Sequence, residues 1–179
     1  MPNDIDLRPT EFTDRESALA RDDKLELRVW LRLLTCANLI ESRVRAGLRE
    51  TFDITLPRFD LLAQLDRAAK GLTMGELSER LMVSNGNITG LTDRLVAEGL
   101  VSRLPSRSDR RQSRVELTPA GKRAFDAMTP VHERWIDEML AAMSRREMAQ
   151  LLELLGKLKR SVQGASLPDE PREKTGEMT

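Results

Sequence analysis

The stretch LTMGELSERLMVSNGNITGLTDRLVAEGLV, residues 72–101, predicts two short helices separated by a tight turn. Thr73 and Glu76 have the spacing of a capping box, which satisfies the free N–H groups at the start of a helix. Ser84 is a second candidate N-cap, and Gly99 is a typical stop after the second helix. Apolar residues recur at helical spacing in both segments: Met74, Leu77 and Leu81, then Ile88, Leu91 and Leu95. This pattern predicts a helix-turn-helix.

A basic hairpin follows directly. Residues 100–104 (LVSRL) and 113–117 (SRVEL) read as short strands, and the eight residues between them, PSRSDRRQ, are rich in turn formers. Residues 103–114 carry five arginines against one aspartate, a net charge of +4: Arg103, Arg107, Arg110, Arg111 and Arg114 against Asp109. A helix-turn-helix followed by an arginine-tipped hairpin predicts a winged helix, whose wing reaches the phosphate backbone or minor groove of DNA.

The chain as a whole is electrically balanced, so the basic hairpin is a local feature. Lys plus Arg and Asp plus Glu are each 29 in 179 residues, and the formal net charge is zero. Residues 1–23 carry seven acidic residues against three arginines, which is typical of a solvated tail. A chain of this length is about the size of one domain.

Several classes of site are disfavoured by composition. One cysteine and one histidine cannot form a disulfide or a Cys/His zinc site, so we expect no structural metal. Since no apolar run approaches a membrane span and the N-terminus does not resemble a signal peptide, we expect a cytoplasmic protein without membrane contact. No phosphate loop or nucleophile–base set is evident, which predicts no enzyme activity and no cofactor. Stacking aromatics for single-stranded nucleic acid are also too few.

Two helices are expected before the helix-turn-helix. Apolar residues at three- and four-residue steps predict a long first helix over residues 24–50 and a second over residues 57–69. The first helix is apolar on two sides, which indicates burial between its own domain and a partner chain.

Two further helices are expected after the hairpin. Thr118 and Pro119 are typical of a helix start, and Pro130 predicts a kink or break of that helix near Thr129. A last helix is predicted over residues 144–162.

The order of these elements resembles the MarR family of bacterial transcription regulators. The resemblance covers roughly residues 25–160, and its most specific parts are the helix-turn-helix running into EGLV, the Asp-x-Arg pattern at Asp109 and Arg111, and LTPAG at residues 117–121. It implies a homodimer held by the first helix and the last two helices. It also implies binding to a palindromic operator in double-stranded DNA, usually as a repressor. A small, often aromatic, anion would release the protein from the DNA.

The resulting fold class is mainly α with a small β-hairpin wing, and the helical dimerisation region comes from both ends of the chain. The expected organisation is an acidic flexible tail (1–23), a dimerisation helix (24–55), the winged helix-turn-helix (56–118), C-terminal dimerisation helices (119–163) and a disordered tail (164–179).

The second helix of the motif and the wing supply the candidate DNA contacts. Asn can pair with adenine and Thr can contact thymine methyl groups, while the outer glycines permit close approach. In the wing, Asp109 is expected to orient Arg111 into the minor groove, and the other arginines are expected to bind phosphates. The candidates are Ser84, Asn85, Asn87, Thr89, Gly90, Arg94, Arg103, Arg107, Asp109, Arg110, Arg111 and Arg114. The alternative to DNA contact is that Asn85, Gly86 and Asn87 only form a weak helix start, and that the arginine-rich loop is only a solvated surface.

By resemblance, a ligand pocket is expected between the dimer helices and the winged helix. The polar and aromatic candidates are Trp30, Arg32, Asn38, Arg43, Arg58, His132 and Trp135. An anionic ligand needs an arginine, for which Arg32 and Arg58 are the first choices; the alternative is a surface or interhelix salt bridge.

Residues 31–68 are similar to regulators of aromatic-acid catabolism, including those that respond to hydroxycinnamoyl-CoA thioesters such as p-coumaroyl-CoA. The ligand is therefore expected to be an aromatic acid or its CoA thioester. Arginines 43, 45 and 49 would receive the CoA phosphates, or would form the solvated side of the first helix.

Redox sensing and protein-only binding are the remaining alternatives. Cys36 lies among leucines, where a thiol is typical of an inert core residue. Relatives that sense peroxide hold their cysteine with tyrosines, and this chain has none. A dimeric adaptor that kept a winged helix but lost specific DNA binding is the alternative function; the wing arginines favour DNA binding.

Overall fold

The computed structural model describes residues 24–105 and 113–165. Within them the chain forms six helices and three strands. The elements are α1 (Leu25–Phe52), α2 (Leu56–Asp66), β1 (Leu72–Thr73), α3 (Met74–Leu81), α4 (Asn85–Ala97), β2 (Val101–Pro105), β3 (Ser113–Leu117), α5 (Pro119–Leu140) and α6 (Arg145–Gly164). The two predicted tails lie outside the described residues, apart from 164 and 165. Among the described helices, none is both long and apolar enough to cross a bilayer.

The helix-turn-helix forms through the predicted caps. The N–H of Glu76 donates to the Thr73 hydroxyl at 3.2 Å, and the N–H of Thr73 donates to the Glu76 carboxylate at 2.7 Å. Ser84 caps α4, accepting from the N–H of Asn87 at 3.4 Å. The turn between α3 and α4 contains Met82 with a left-handed φ of 53°. The predicted capping box, second N-cap and helix pair are confirmed.

The predicted hairpin is confirmed, and a third strand joins it. β2 and β3 pair antiparallel, with Val101 opposite Leu117 and Leu104 opposite Arg114. The third strand, β1, pairs with the other edge of β3, giving the order β1-β3-β2. We call residues 101–117 the wing. The sequence did not reveal β1 because two residues carry no periodicity.

The second helix ends earlier than predicted, at Asp66 rather than near residue 69. The chain then makes a turn, in which the N–H of Ala68 donates to Leu65 O at 3.0 Å and the N–H of Gly71 to Ala68 O at 2.8 Å. Gly71 has a φ of +64°, a conformation that favours glycine, and leads into β1.

The core lies between α1, α2, the helix-turn-helix and the sheet. Its fully buried side chains are Leu48, Leu61, Leu62, Leu77, Ile88, Thr92, Leu95 and Val115. Phe125 and Met128 of α5 are also buried and belong to this cluster. The core of the winged helix therefore extends beyond the boundary predicted at residue 118.

The LTPAG segment joins the wing to α5. The Thr118 hydroxyl donates to Gly99 O at 2.6 Å and accepts from the N–H of Gly121 at 3.0 Å. A Cβ on Gly121 would lie 1.9 Å from Leu100 O. This close approach of two backbones gives the predicted N-cap a tertiary role and explains the glycine.

Of the kink or break predicted near Thr129, the break is wrong, because α5 continues through Pro130 to Leu140. Pro130 is exposed, so the carbonyl left without a donor one turn earlier faces the solvent side of the helix. The Thr129 hydroxyl donates to Phe125 O at 3.0 Å, which supports the same turn.

The first and last helices expose apolar side chains. In α1 only Val44 and Leu48 are buried, while the exposed residues include Leu25, Leu27, Val29, Trp30 and Leu39. α6, which belongs to a separate compact unit from Leu140 onward, begins at a capping box formed by Ser144 and Glu147. It has no buried residue, and Leu151, Leu152, Leu154, Leu155 and Val162 are exposed.

Candidate nucleic-acid interface

α4 presents a polar face to solvent because its apolar face is fixed in the core. Ile88 and Leu95 are fully buried, and the buried hydroxyl of Thr92 donates to Ile88 O at 2.8 Å. From the sequence, Ile88, Leu91 and Leu95 were predicted to form the buried face. Thr92 was not singled out, although it is more deeply buried than Leu91. The outward residues are all exposed: Ser84, Asn85, Gly86, Asn87, Thr89, Gly90, Asp93 and Arg94. This set includes every α4 candidate and its N-cap.

Gly86 and Gly90 leave part of this face open. A Cβ at either position would have no atom of the described chain within 4 Å, apart from its own neighbours. Each glycine costs a helix about 1 kcal/mol relative to alanine. Since packing within this chain does not require them, the two glycines favour close approach by an external partner.

The base of the wing is joined to α4 by an ion pair. Arg103 Nη2 lies 2.7 Å from Asp93 Oδ1, and both side chains are partly exposed. From the sequence, Arg103 was predicted to bind a DNA phosphate, and Asp93 had no predicted role. The pair neutralises a carboxylate on the same face as the candidate DNA contacts and fixes β2 relative to α4.

Arg114 forms a clasp at the other edge of the sheet. Its Nε donates to Lys70 O at 2.8 Å and its Nη2 to Gly71 O at 2.6 Å, and Nη2 lies 3.6 Å from a Glu76 carboxylate oxygen. The hydrogen bond from the Thr73 backbone, the Thr73 hydroxyl and the charge of Arg114 lower the pKa of Glu76. From the sequence, Arg114 was predicted to bind a DNA phosphate. In the structure its side chain holds the turn before β1 against β3.

The tip of the wing carries the remaining DNA candidates. Arg107, Asp109, Arg110 and Arg111 lie in residues 106–112, outside the described residues.

In the part of the chain that the structure describes, the seven ligand candidates lie on separate surfaces and cavities. Trp30, Arg32 and Asn38 are exposed on α1. Arg43 and Trp135 line a cavity of about 330 Å³ together with Gly47, Glu138 and Met139. The Trp135 ring packs on α1 where a Cβ on Gly47 would lie 2.9 Å away.

Arg58 lines a different cavity, of about 440 Å³. It forms an ion pair with Glu98, the C-cap residue of α4. Burial lowers the pKa of Arg58, and the charges of Arg94 and Arg49 act in the same direction against Asp53. The buried Nε of Arg58 has no hydrogen-bond partner in the described part of the chain. The other walls are Phe52, Asp53, Ile54, Leu100, Ala124, Ala127 and Met128.

His132 lies in an aromatic cluster rather than in either cavity wall. Its ring centroid is 4.8 Å from that of Phe59, which in turn lies 5.5 Å from Phe125. Burial lowers the pKa of His132. A half-buried histidine with its ring tilted by 34° against a phenylalanine ring is typical of packing within the fold.

The expectation that Cys36 is a core residue is wrong, because its side chain is exposed. From the sequence, α1 was predicted to be buried between its own domain and a partner chain, and Cys36 was counted among its core residues. Only the C-terminal half of that helix packs on the core, through Val44 and Leu48.

Comparison with known proteins points to one family. The family model described as MarR family matches residues 52–112. The transcriptional activatory protein BadR of Rhodopseudomonas palustris is 32% identical over 158 residues, covering 82% of this chain and 89% of BadR.

Two solved structures have the same fold. The MarR family transcriptional regulator from Silicibacter pomeroyi superposes with a TM-score of 0.66 and 34% identity, covering 77% of this chain and 95% of its own. The Staphylococcus aureus MepR–DNA complex has a TM-score of 0.67, covering 78% of this chain and all of the MepR chain, at 22% identity. The latter likeness is one of fold alone.

Proposed function

Because the chain belongs to the MarR family of DNA-binding transcription regulators, we propose that it represses transcription as a homodimer bound to a palindromic operator. Members of the family are regulators and not enzymes. The observation that carries the proposal is the exposed polar face of α4, held outward by its buried apolar face and flanked by the wing.

In this proposal α4 enters the major groove and the wing reaches the neighbouring minor groove. Asn85 and Asn87 supply amides for base edges, Thr89 supplies a methyl group, and Gly90 permits close approach. Arg94 extends the same face. In the wing, Asp109 orients Arg111 into the minor groove, while Arg103, Arg107 and Arg110 bind phosphates. Arg114 acts through its clasp on the sheet rather than through a phosphate.

A homodimer explains the exposed apolar side chains of α1 and α6. Trp30 is 55% exposed and Leu152 is 74% exposed, and each lies among further exposed apolar residues of its own helix. Surfaces of this kind are typical of protein interfaces. A two-fold dimer would present two copies of α4 to the two halves of a palindrome.

Release of DNA by a small ligand is the second part of the proposal. The candidate ligands are an aromatic acid or its CoA thioester. Arg43 and Trp135 share one cavity, so they offer a charge beside an aromatic surface. Trp30, Arg32, Asn38 and His132 would join a site only if the partner subunit completes it.

Activation is a second candidate for the sign of regulation. It is favoured by the name of BadR, which is an activatory protein. A reporter carrying the bound operator distinguishes the two, because deleting a repressor raises expression and deleting an activator lowers it.

The function is tested by binding to DNA from the promoter region of the protein's own gene. Fluorescence anisotropy over about 50–200 mM salt should show specific binding that weakens steeply as counterions are released. Failure to bind any such DNA specifically would favour the protein-interaction adaptor.

The Arg111→Ala variant tests the minor-groove contact. We expect at least a tenfold loss of specific affinity, because one charge-assisted contact is removed, with the dimer still folded by circular dichroism. Arg123→Ala is the matched control, since Arg123 is an exposed arginine on α5. Equal affinities for the two variants would contradict the assignment.

A further inference from the structure

We infer that Met82 is a DNA-contacting residue, and that its side chain packs against an apolar part of the operator beside the N-terminus of α4. The inference rests on the proposed function, because it adds one contact to the same interface. The added contact is apolar, whereas the contacts proposed so far come mainly from polar and charged side chains.

Met82 combines an exposed apolar side chain with a strained backbone. The residue is 93% exposed, and its φ of 53° lies in the left-handed region that favours glycine. The other methionines in the described part of the chain are buried or half-buried. A single exposed apolar residue is ordinary on a protein surface, but the left-handed conformation is a second cost at the same position. Within the chain alone, glycine would therefore be the more stable residue here.

The turn that holds Met82 does not depend on its side chain. The N–H of Met82 donates to Glu79 O at 3.2 Å, and the N–H of Val83 donates to Ser78 O at 3.1 Å. The Ser78 hydroxyl donates to Val83 O at 2.5 Å. Val83 is half-buried and packs against the core. Because none of these contacts uses the Met82 side chain, its replacement should leave the turn intact.

The place of Met82 in the helix-turn-helix brings its side chain to the proposed DNA surface. Met82 directly follows α3 and lies two residues before Ser84, the N-cap of α4. In helix-turn-helix complexes the N-terminal residues of the second helix contact base edges, while the first helix crosses the phosphate backbone. The turn between the two helices therefore lies beside the DNA, and a flexible methionine side chain extends from it.

The surroundings of Met82 favour DNA over a protein as the partner. Its exposed neighbours along the chain are all polar or charged: Glu79, Arg80, Ser84 and Asn85. Protein interfaces are marked by larger contiguous apolar patches, which a single side chain does not provide. DNA instead offers isolated apolar groups among polar ones, namely the C5-methyl groups of thymine in the major groove and the carbon atoms of the deoxyriboses.

Operator binding by Met82 variants, measured by fluorescence anisotropy, tests the inference. Met82→Gln keeps the length of the side chain but makes its end polar, so it should bind the operator at least about fivefold more weakly. Met82→Leu is the matched control: it keeps an apolar side chain of similar volume and should bind within about twofold of the wild type. Met82→Gly should also bind more weakly, although relief of the strained backbone raises its midpoint of urea denaturation.

Salt dependence distinguishes an apolar contact from a phosphate contact. The slope of log affinity against log salt concentration should be the same for Met82→Gln and the wild type, because an apolar contact releases no counterion. Single thymine-to-uracil substitutions in the operator then distinguish the two apolar sources. If one substitution weakens binding by the wild type but not by Met82→Gln, the partner is that thymine methyl group. If none does so while Met82→Gln binds weakly, the partner is a deoxyribose.

Three results would overturn the inference: equal operator affinity of the wild type and Met82→Gln, an equal loss of affinity in Met82→Leu and Met82→Gln, or a salt slope that changes with the substitution. Wild-type binding separates this inference from the proposed function. If the wild type binds its operator specifically and Met82→Gln matches it, only this inference fails. If the wild type binds no DNA specifically, the proposed function fails and this inference fails with it.

Discussion

Gly121 is the residue at which the start of α5 meets Leu100, between α4 and β2. A Cβ there would lie 1.9 Å from Leu100 O, and Leu100 O also accepts the N–H of Thr118 at 3.1 Å. Because the obstructing atom belongs to the backbone, it cannot move aside as a side chain would.

We therefore predict that Gly121→Ala lowers the free energy of unfolding by about 2 kcal/mol or more, at or above the middle of the range for overpacked sites. Urea denaturation measures this change. Gly75→Ala is the matched control, because a Cβ at Gly75 has no described atom within 4 Å beyond its neighbours. If both variants unfold at the same urea concentration, the close approach at Gly121 does not exist.

His132 predicts a pH dependence of stability. Burial lowers the pKa of its imidazole, so the folded state binds a proton less readily than the unfolded state. Above the ordinary histidine pKa of about 6.5 this group contributes nothing, and as the pH falls below that value its protonation favours unfolding. His132→Phe preserves a ring against Phe59 and removes the titration. The difference in free energy of unfolding between wild type and variant should therefore change below about pH 6.5. If this difference is the same at about pH 8 and at about pH 5, His132 does not have this role.

Local interactions were predictable residue by residue, and long-range ion pairs were not. The capping box of Thr73 and Glu76 and the cap at Ser84 join groups three residues apart, so their spacing is visible in the sequence. The pair between Arg103 and Asp93 depends on how the wing folds back onto α4. Arg58 was selected for its charge, but its partner Glu98 becomes adjacent only when α2 packs near the end of α4.

At the scale of the element, α4 combines a capped start with two glycines on its outer face. If the only role of these glycines is to let DNA approach closely, replacing them with alanine should raise stability and lower DNA affinity. We predict that Gly86→Ala and Gly90→Ala each raise the free energy of unfolding by about 0.5–1 kcal/mol, the usual difference between the two residues in a helix. Operator affinity should fall severalfold. Thermal denaturation and fluorescence anisotropy on the same preparations give both quantities. Alanine variants that are more stable and bind equally well would remove the steric argument for these glycines.

Elements were predictable where their pattern extends over enough residues. Apolar residues at three- and four-residue steps predicted the long helices, and turn-forming residues marked the ends of the two strands of the wing. β1 has only two residues and forms because it pairs with β3, so no local sequence pattern predicts it. The predicted break of α5 at Pro130 is absent, because an exposed proline leaves the carbonyl one turn earlier accessible to water.

At the scale of the whole molecule, the fold class followed from the order of elements, whereas the extent of the core did not. The boundary placed at residue 118 separated a DNA-binding region from dimerisation helices, but Phe125 and Met128 of α5 pack in the same core as α2. A helix that is apolar on two sides can serve one core and one partner at once, and spacing alone does not divide the two roles.

The proposed dimer gives the last prediction. Leu152 of α6 is 74% exposed in the single chain, and burial of one leucine contributes about 1.5–3 kcal/mol. A two-fold interface contains each residue twice, so a charge at this position is placed in the interface twice. We predict that Leu152→Glu converts the dimer to monomer at micromolar concentration and lowers operator affinity at least tenfold, because both half-sites are no longer bound together. Sedimentation velocity measures the assembly and anisotropy measures the affinity. Gln150→Glu adds the same charge on the polar side of α6 and should leave both unchanged. A Leu152→Glu protein that remains dimeric would place the dimer interface away from this part of α6, whatever its affinity for DNA.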